Sequence, residues 1–248
     1  MDFILPLLFA LLAGLSTVIG GLVVFAVKPR FKYLCVAMGF SAGVMIFISF
    51  VELLAPSIIS IGFLYASTAF FAGILVIYLI DTVVPHIYAG EKDGKRSGIK
   101  RTALLLAIGI TIHNFPEGMA VFFSSLSSID LGILMVFAVA LHNIPEGIAV
   151  SMPIFYATRS KLKSIHYAFL SGIAEPAGAF ISFLFLYQFL NSFTLDIILA
   201  AVSGIMIFIS FDELLPYVYK KDGQTHHLPM LGLFLGMFVM AISIYMLS

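Results

Sequence analysis

The chain has 248 residues, of which 61% are hydrophobic and only 10% charged, with zero net charge and one cysteine. A water-soluble domain is nearer a quarter charged, so this composition indicates a polytopic membrane protein. It offers no electrostatic case for a nucleic-acid partner, and it excludes an intramolecular disulfide or a site built from several thiolates.

In chain order, eight apolar stretches are long enough to cross about 30 Å of hydrocarbon. They cover residues 3–27, 33–54, 62–84, 102–125, 131–156, 165–190, 196–219 and 229–247. The first, Phe3 to Val27, is too long for a signal-peptide core and reads as a retained span. The connections are short, and the longest, a charged segment at about 85–101, cannot hold a nucleotide-binding domain. No glycine loop of the phosphate-cradling kind is present either. The expectation is one transmembrane domain over residues 1–248, in contact with the lipid bilayer, with no nucleotide partner and no prosthetic group.

The basic residues test the span count. Lys28, Arg30 and Lys32 lie between spans 1 and 2, and Lys92, Lys95, Arg96, Lys100 and Arg101 between spans 3 and 4. Arg159, Lys161 and Lys163 lie between spans 5 and 6, and Lys220 and Lys221 between spans 7 and 8. All 13 Lys and Arg therefore fall on one side, while the opposite loops PSIISIG, SSLSSID and NSFTLD carry none. The positive-inside rule makes the basic side cytoplasmic, which puts both termini outside a multi-pass protein of the cell membrane.

The spans hold no Lys or Arg, yet they hold Glu52, Glu117, Glu146, Glu175, Asp212 and Glu213. A charge at the bilayer centre costs about 2.5–3.5 kcal/mol on insertion scales, so these acids are either protonated or gathered around a cation. The stretches TIHNFPEG (111–118) and LHNIPEG (141–147) favour the cation. With His113 at zero on a helical wheel, Asn114 lies at about 100° and Glu117 at about 40°, all on one face. His142, Asn143 and Glu146 repeat this on the next span. Imidazole and carboxylate one turn apart form a chelating pair. Pro116 and Pro145 remove the helical donors to the carbonyls of Ile112 and Leu141, which should kink both helices and add oxygen atoms to the site. Gly118 and Gly147 should let a neighbouring helix approach closely. Glu175, in SGIAEPAG near the middle of span 6, completes the set.

The sequence also repeats itself. GVMIFISFVELL (43–54) and GIMIFISFDELL (204–215) are identical at ten of twelve positions, on spans that run in opposite directions. A weaker match joins AGLSTVIGG (13–21) in span 1 to SGIAEPAGA (171–179) in span 6. Spans 4 and 5 form a third such pair. The result is an all-α bundle of eight helices arranged 3+2+3 about a pseudo-two-fold axis in the membrane plane, and inverted repeats around a midplane site are a transporter signature. The repeat places Glu52 near the outer end of span 2, and Asp212 and Glu213 near the inner end of span 7, as candidate access-path acids.

With its paired HNFPEG and HNIPEG motifs, eight spans and DELLP in span 7, the chain resembles the ZIP family of metal transporters over essentially its whole length. That resemblance implies a carrier moving Zn²⁺, and often Fe²⁺, Mn²⁺, Co²⁺ or Cd²⁺, into the cytoplasm. It also implies an elevator-type mechanism, a two-metal centre between spans 4, 5 and 6, and a homodimer, as in many members. By motif, the ligands would be His113, Asn114, Glu117, His142, Asn143, Glu146 and Glu175. The long histidine-rich loop of many eukaryotic members is missing, and the loop histidines here are His86, His226 and His227. The ligand chemistry agrees: imidazole and carboxylate without thiolate suit borderline divalent ions, and Mg²⁺ is disfavoured by the histidines. A passive channel for the same ions remains a second reading. An intramembrane metalloenzyme of the zincin type would need His-Glu-x-x-His, which neither motif supplies.

Overall fold

A computed structural model of the chain describes residues 3–28, 30–83, 94–186, 191–219 and 227–247. His86, His226, Lys92, Lys220, Lys221 and the first part of the 85–101 connector lie outside the described residues, as does the side chain of Glu213. Among the described residues there is no strand. Eight helices account for the eight expected spans: α1 (4–26), α2 (31–61), α3 (63–83), α4 (94–127), α5 (129–158), α6 (161–186), α7 (192–219) and α8 (227–247). Seven contain a stretch apolar and long enough to cross a membrane. The eighth, α4, has 34 residues, about 51 Å of helix. That exceeds the hydrocarbon thickness, so the basic stretch at 95–101 can project beyond the lipid.

Two connections expected as loops are almost absent. Helix α2 does not stop at 54 but runs through PSIISIG to Ile61, and Gly62 alone, at φ +88°, turns the chain into α3. The cause is a π-helical turn at Ser49–Leu54, directly before Pro56. A π turn shifts the hydrogen-bond ladder by one residue, so the missing N–H of Pro56 falls where the ladder is already offset. The second copy of the repeat does the same, with a π turn at Ile209–Leu214 before Pro216 and helix to Tyr219. In each copy a serine bonds back one turn: Ser49 Oγ donates to the Met45 carbonyl at 2.6 Å, and Ser210 Oγ to that of Met206 at 2.8 Å. Near-identical sequence has made the same local distortion twice. Glu52 consequently sits about 13 Å short of the end of α2 rather than beside it. Likewise SSLSSID is not a loop, because only Ser128 separates α4 from α5.

The helices form two bundles. In one, α1 packs on α5, α6 on α4, and α4 on α5; in the other, α8 packs on α2 and α3 on α7. Close glycine contacts show how they are related. A Cβ on Gly118 would collide with the Glu175 carbonyl, as one on Gly147 would with that of Thr17. Gly178 meets Phe115 as Gly20 meets Ile144, and Gly73 meets Ala201 as Gly236 meets Phe40. Exchanging α1 with α6, α4 with α5, α2 with α7 and α3 with α8 maps each contact onto its twin. Gly14 and Gly172 face one another, so the pseudo-two-fold axis passes between them. This is the expected 3+2+3 inverted repeat.

Candidate metal centre

Helices α4 and α5 run antiparallel from the Ser128 turn, and His113 and His142 lie at nearly equal distances from it along the chain. Their motifs are thereby brought to one level. Pro116 and Pro145 both lie inside continuous helix, so the two motifs stay on single helical faces. Helix α6 does break, at Ile173, and Glu175 lies in the first turn of the resumed helix at Ala174–Ile181, beside Pro176.

All seven predicted ligands are buried. Glu117 is the hub: its Oε1 lies 2.5 Å from His142 Nε2 and 3.0 Å from His113 Nε2. His113 Nε2 is also 3.1 Å from Glu146 Oε1. One ligand atom from each of His113, Glu117 and His142 falls within 4.8 Å of the others. The asparagines tie the centre to the flanking helices. Asn143 Nδ2 donates to Glu175 Oε1 at 2.5 Å and to the Ala13 carbonyl at 3.0 Å, while Asn114 Nδ2 reaches the Ser171 carbonyl at 3.4 Å. Turned over, the Asn114 amide would instead donate to Glu146 Oε2 at 3.0 Å.

Protein groups alone leave this cluster poorly satisfied. His113 Nδ1, Glu117 Oε2, Asn143 Oδ1 and Glu175 Oε2 are buried without a hydrogen-bond partner among the described residues. Every Lys and Arg lies in a connection or towards a helix end. Several acids and imidazoles, desolvated and without basic partners, are costly. A divalent cation would satisfy them, and two imidazoles with three carboxylates and no thiolate form a donor set for a borderline ion.

A cavity of about 360 Å³ reaches Glu117 and His142, walled by Ile48, Glu52 and Leu53 of α2, Ala138 of α5 and Met240 of α8. Glu52 is therefore in the wall of an access path but not in the centre. Asp212 is exposed on α7, and the cavity does not include it. At the pseudo-symmetric seam the described residues pack closely: Ile209, the counterpart of Ile48, is buried and lies so near Gly109 that a Cβ there would collide with its Cδ1.

Two features escaped sequence reasoning. Thr17 occupies the position on α1 equivalent to Glu175, and its hydroxyl is buried without a partner. The 13–21/171–179 alignment contained that signal. Ser41 of α2 donates to the Pro145 carbonyl at 3.0 Å, and no local motif announces it.

Comparison with known proteins agrees with this geometry. A profile described as ZIP Zinc transporter matches residues 89–244. Proteins described as zinc transporter ZupT are similar over nearly their whole length. The one from Clostridium perfringens is 46% identical, covering 98% of this chain and 96% of its own. That from Akkermansia muciniphila is 47% identical over 95% and 94%, and that from Streptococcus mutans 46% over 94% of each.

Proposed function

The chain belongs to the ZIP zinc transporter family, and on that premise we propose that it is a carrier moving Zn²⁺ across the cell membrane into the cytoplasm. The observation behind this reading is the buried cluster of His113, Glu117 and His142, with Glu146 beside His113 and Glu175 tied in through Asn143, and every Lys and Arg far along the chain in connections or helix ends. His113, Glu117, His142, Glu146 and Glu175, with Asn114 and Asn143, are the ligands. The same donors accept Fe²⁺, Mn²⁺, Co²⁺ and Cd²⁺. The whole chain acts as one transport unit, with no enzymatic step and no prosthetic group, both termini outside, and a homodimer as the assembled form.

A cavity that reaches Glu117 and His142 from the Glu52 side, with close packing at Gly109 and Ile209 across the pseudo-symmetric seam, favours a carrier over a channel, since a channel needs a path open at both ends at once. The metal enters from the Glu52 side, which the charge bias makes the outer side. Glu52 recruits the ion there, and Asp212 and Glu213 play the matching part at the exit. Uptake of radioactive Zn²⁺ into proteoliposomes, with Fe²⁺ and Mn²⁺ as competitors, tests the reading against Glu146→Ala. Saturable uptake by the wild type, lost in the variant, is expected. Wild-type flux in the variant would mean that the α5 motif is structural and the centre lies elsewhere. Flux that is fast and fails to saturate would indicate a channel.

A further inference from the structure

The bundles meet mainly through apolar side chains, Ile48, Met45, Met152 and Phe155 among them. A buried polar contact between described residues crosses that seam. Ser41, on α2, has no exposed surface, and its Oγ donates to the Pro145 carbonyl of α5 at 3.0 Å. Pro145 lies between Asn143 and Glu146, so a residue of one bundle grips the backbone of a ligand segment in the other. The inverted repeat supplies a control. The counterpart of Ser41 on α7 is Val202, also buried, and the counterpart of Pro145 on α4 is Pro116. Valine has no hydroxyl to donate. The side with the hydroxyl is the side with the cavity, whereas on the valine side Gly109 and Ile209 are in close contact.

We propose that Ser41 is a positioning residue that pins the α5 ligand segment to α2, and that its absence from the second repeat makes the two arrangements of the carrier unequal in energy. The inference rests on the carrier reading. If the α1/α4/α5/α6 bundle moves against the other, the Ser41–Pro145 bond breaks and Val202 offers the Pro116 carbonyl nothing in return. The arrangement with the Glu52-side cavity open is therefore the resting one. One neutral hydrogen bond biases the ratio by about two- to tenfold.

The test uses the full chain in proteoliposomes, with Cys35 replaced by alanine and a reporter cysteine in the cavity wall, Ala138→Cys. Its reaction with a water-soluble maleimide, without metal, reads how often the cavity is open. Uptake of Zn²⁺ by the same liposomes reads transport. Ser41→Ala should slow labelling about two- to tenfold, the size of the lost bond, and Ser41→Thr should restore it. Adding Val202→Ser to Ser41→Ala moves the hydroxyl to the other repeat and should slow labelling further. A merely structural serine would not respond to that transfer. If Ser41→Ala labels at the parent rate in liposomes that take up Zn²⁺, the pin is wrong and the carrier reading stands. If the parent protein takes up no Zn²⁺, the carrier reading falls, and the inference that rests on it falls too.

Discussion

Residues 43–54 and 204–215 differ at two positions, fold through the same π turn, and carry equivalent serines that bond back one turn. Yet Ile48 borders an open cavity while Ile209 is locked into Gly109. Local sequence cannot account for that difference. What differs is the position of the α4–α5 pair between two nearly equal walls, clear of one and tight against the other. The protein holds two near-copies of one wall, with a cavity against the first and a close helix contact at the second.

The sharpest challenge to this picture is at the centre, where the copies are also unequal. Glu117 touches both histidines, whereas its twin Glu146 touches only His113. Glu117→Ala should weaken Zn²⁺ binding about a hundredfold or more, since charge-assisted contacts of roughly 1.5–3 kcal/mol each are lost. Glu146→Ala should weaken it less. Calorimetric titration in detergent would measure both, and a reversed order would remove Glu117 from its place as hub.

Symmetry makes the next prediction. Gly14 and Gly172 each press on the other's carbonyl, so Gly14→Ala and Gly172→Ala should destabilise the protein alike. Overpacking of this kind costs about 1–3 kcal/mol. Thermal unfolding of the two variants should give matching losses, and one silent variant would show that the axis does not pass between them.

The two walls can be compared by trimming each. Ile209→Ala should loosen the close-packed seam and raise maleimide reactivity at Leu214→Cys by about tenfold, the scale of roughly 1.4 kcal/mol of packing. Ile48→Ala, beside space already open, should do nothing comparable at Leu53→Cys. Equal responses would mean that the seam is no gate. The smallest effect belongs to Glu52. Glu52→Gln should raise the KM for Zn²⁺ about two- to fivefold at low ionic strength and less at high salt, because it removes steering rather than a ligand. An unchanged KM at every salt concentration would exclude Glu52 from recruitment.

Much of this was legible in the sequence because hydropathy, charge bias and helical spacing are local signals. They give eight apolar helices, the inverted pairing and seven polar residues that the fold buries. Gly118 and Gly147 were legible as close-approach points, and they face Glu175 and Thr17 as the symmetry requires. PSIISIG misled because Pro56, two serines and a closing glycine have the composition of a turn. A π turn six residues long, whose effect lies in backbone offset, carries the helix through. The Ser41–Pro145 bond spans 104 positions, and no window along the chain could have joined them. The cavity at one wall and the close contact at the other were unreadable for a deeper reason: they follow from where two bundles stand, and one sequence encodes both positions.

The single residue between α4 and α5 bears on how the protein is made. With only Ser128 at the bend, α4 and α5 are neighbours both along the chain and in the fold. Their pairing as a hairpin is the arrangement that spares the polar motif of each from lipid. A lone α4 would present His113, Asn114 and Glu117 to acyl chains, at an insertion cost of about 2.5–3.5 kcal/mol for a central charged acid. Paired with α5, it buries them against His142 and Glu146 from the outset, so the residues that would transport the ion also make the hairpin the unit of biogenesis.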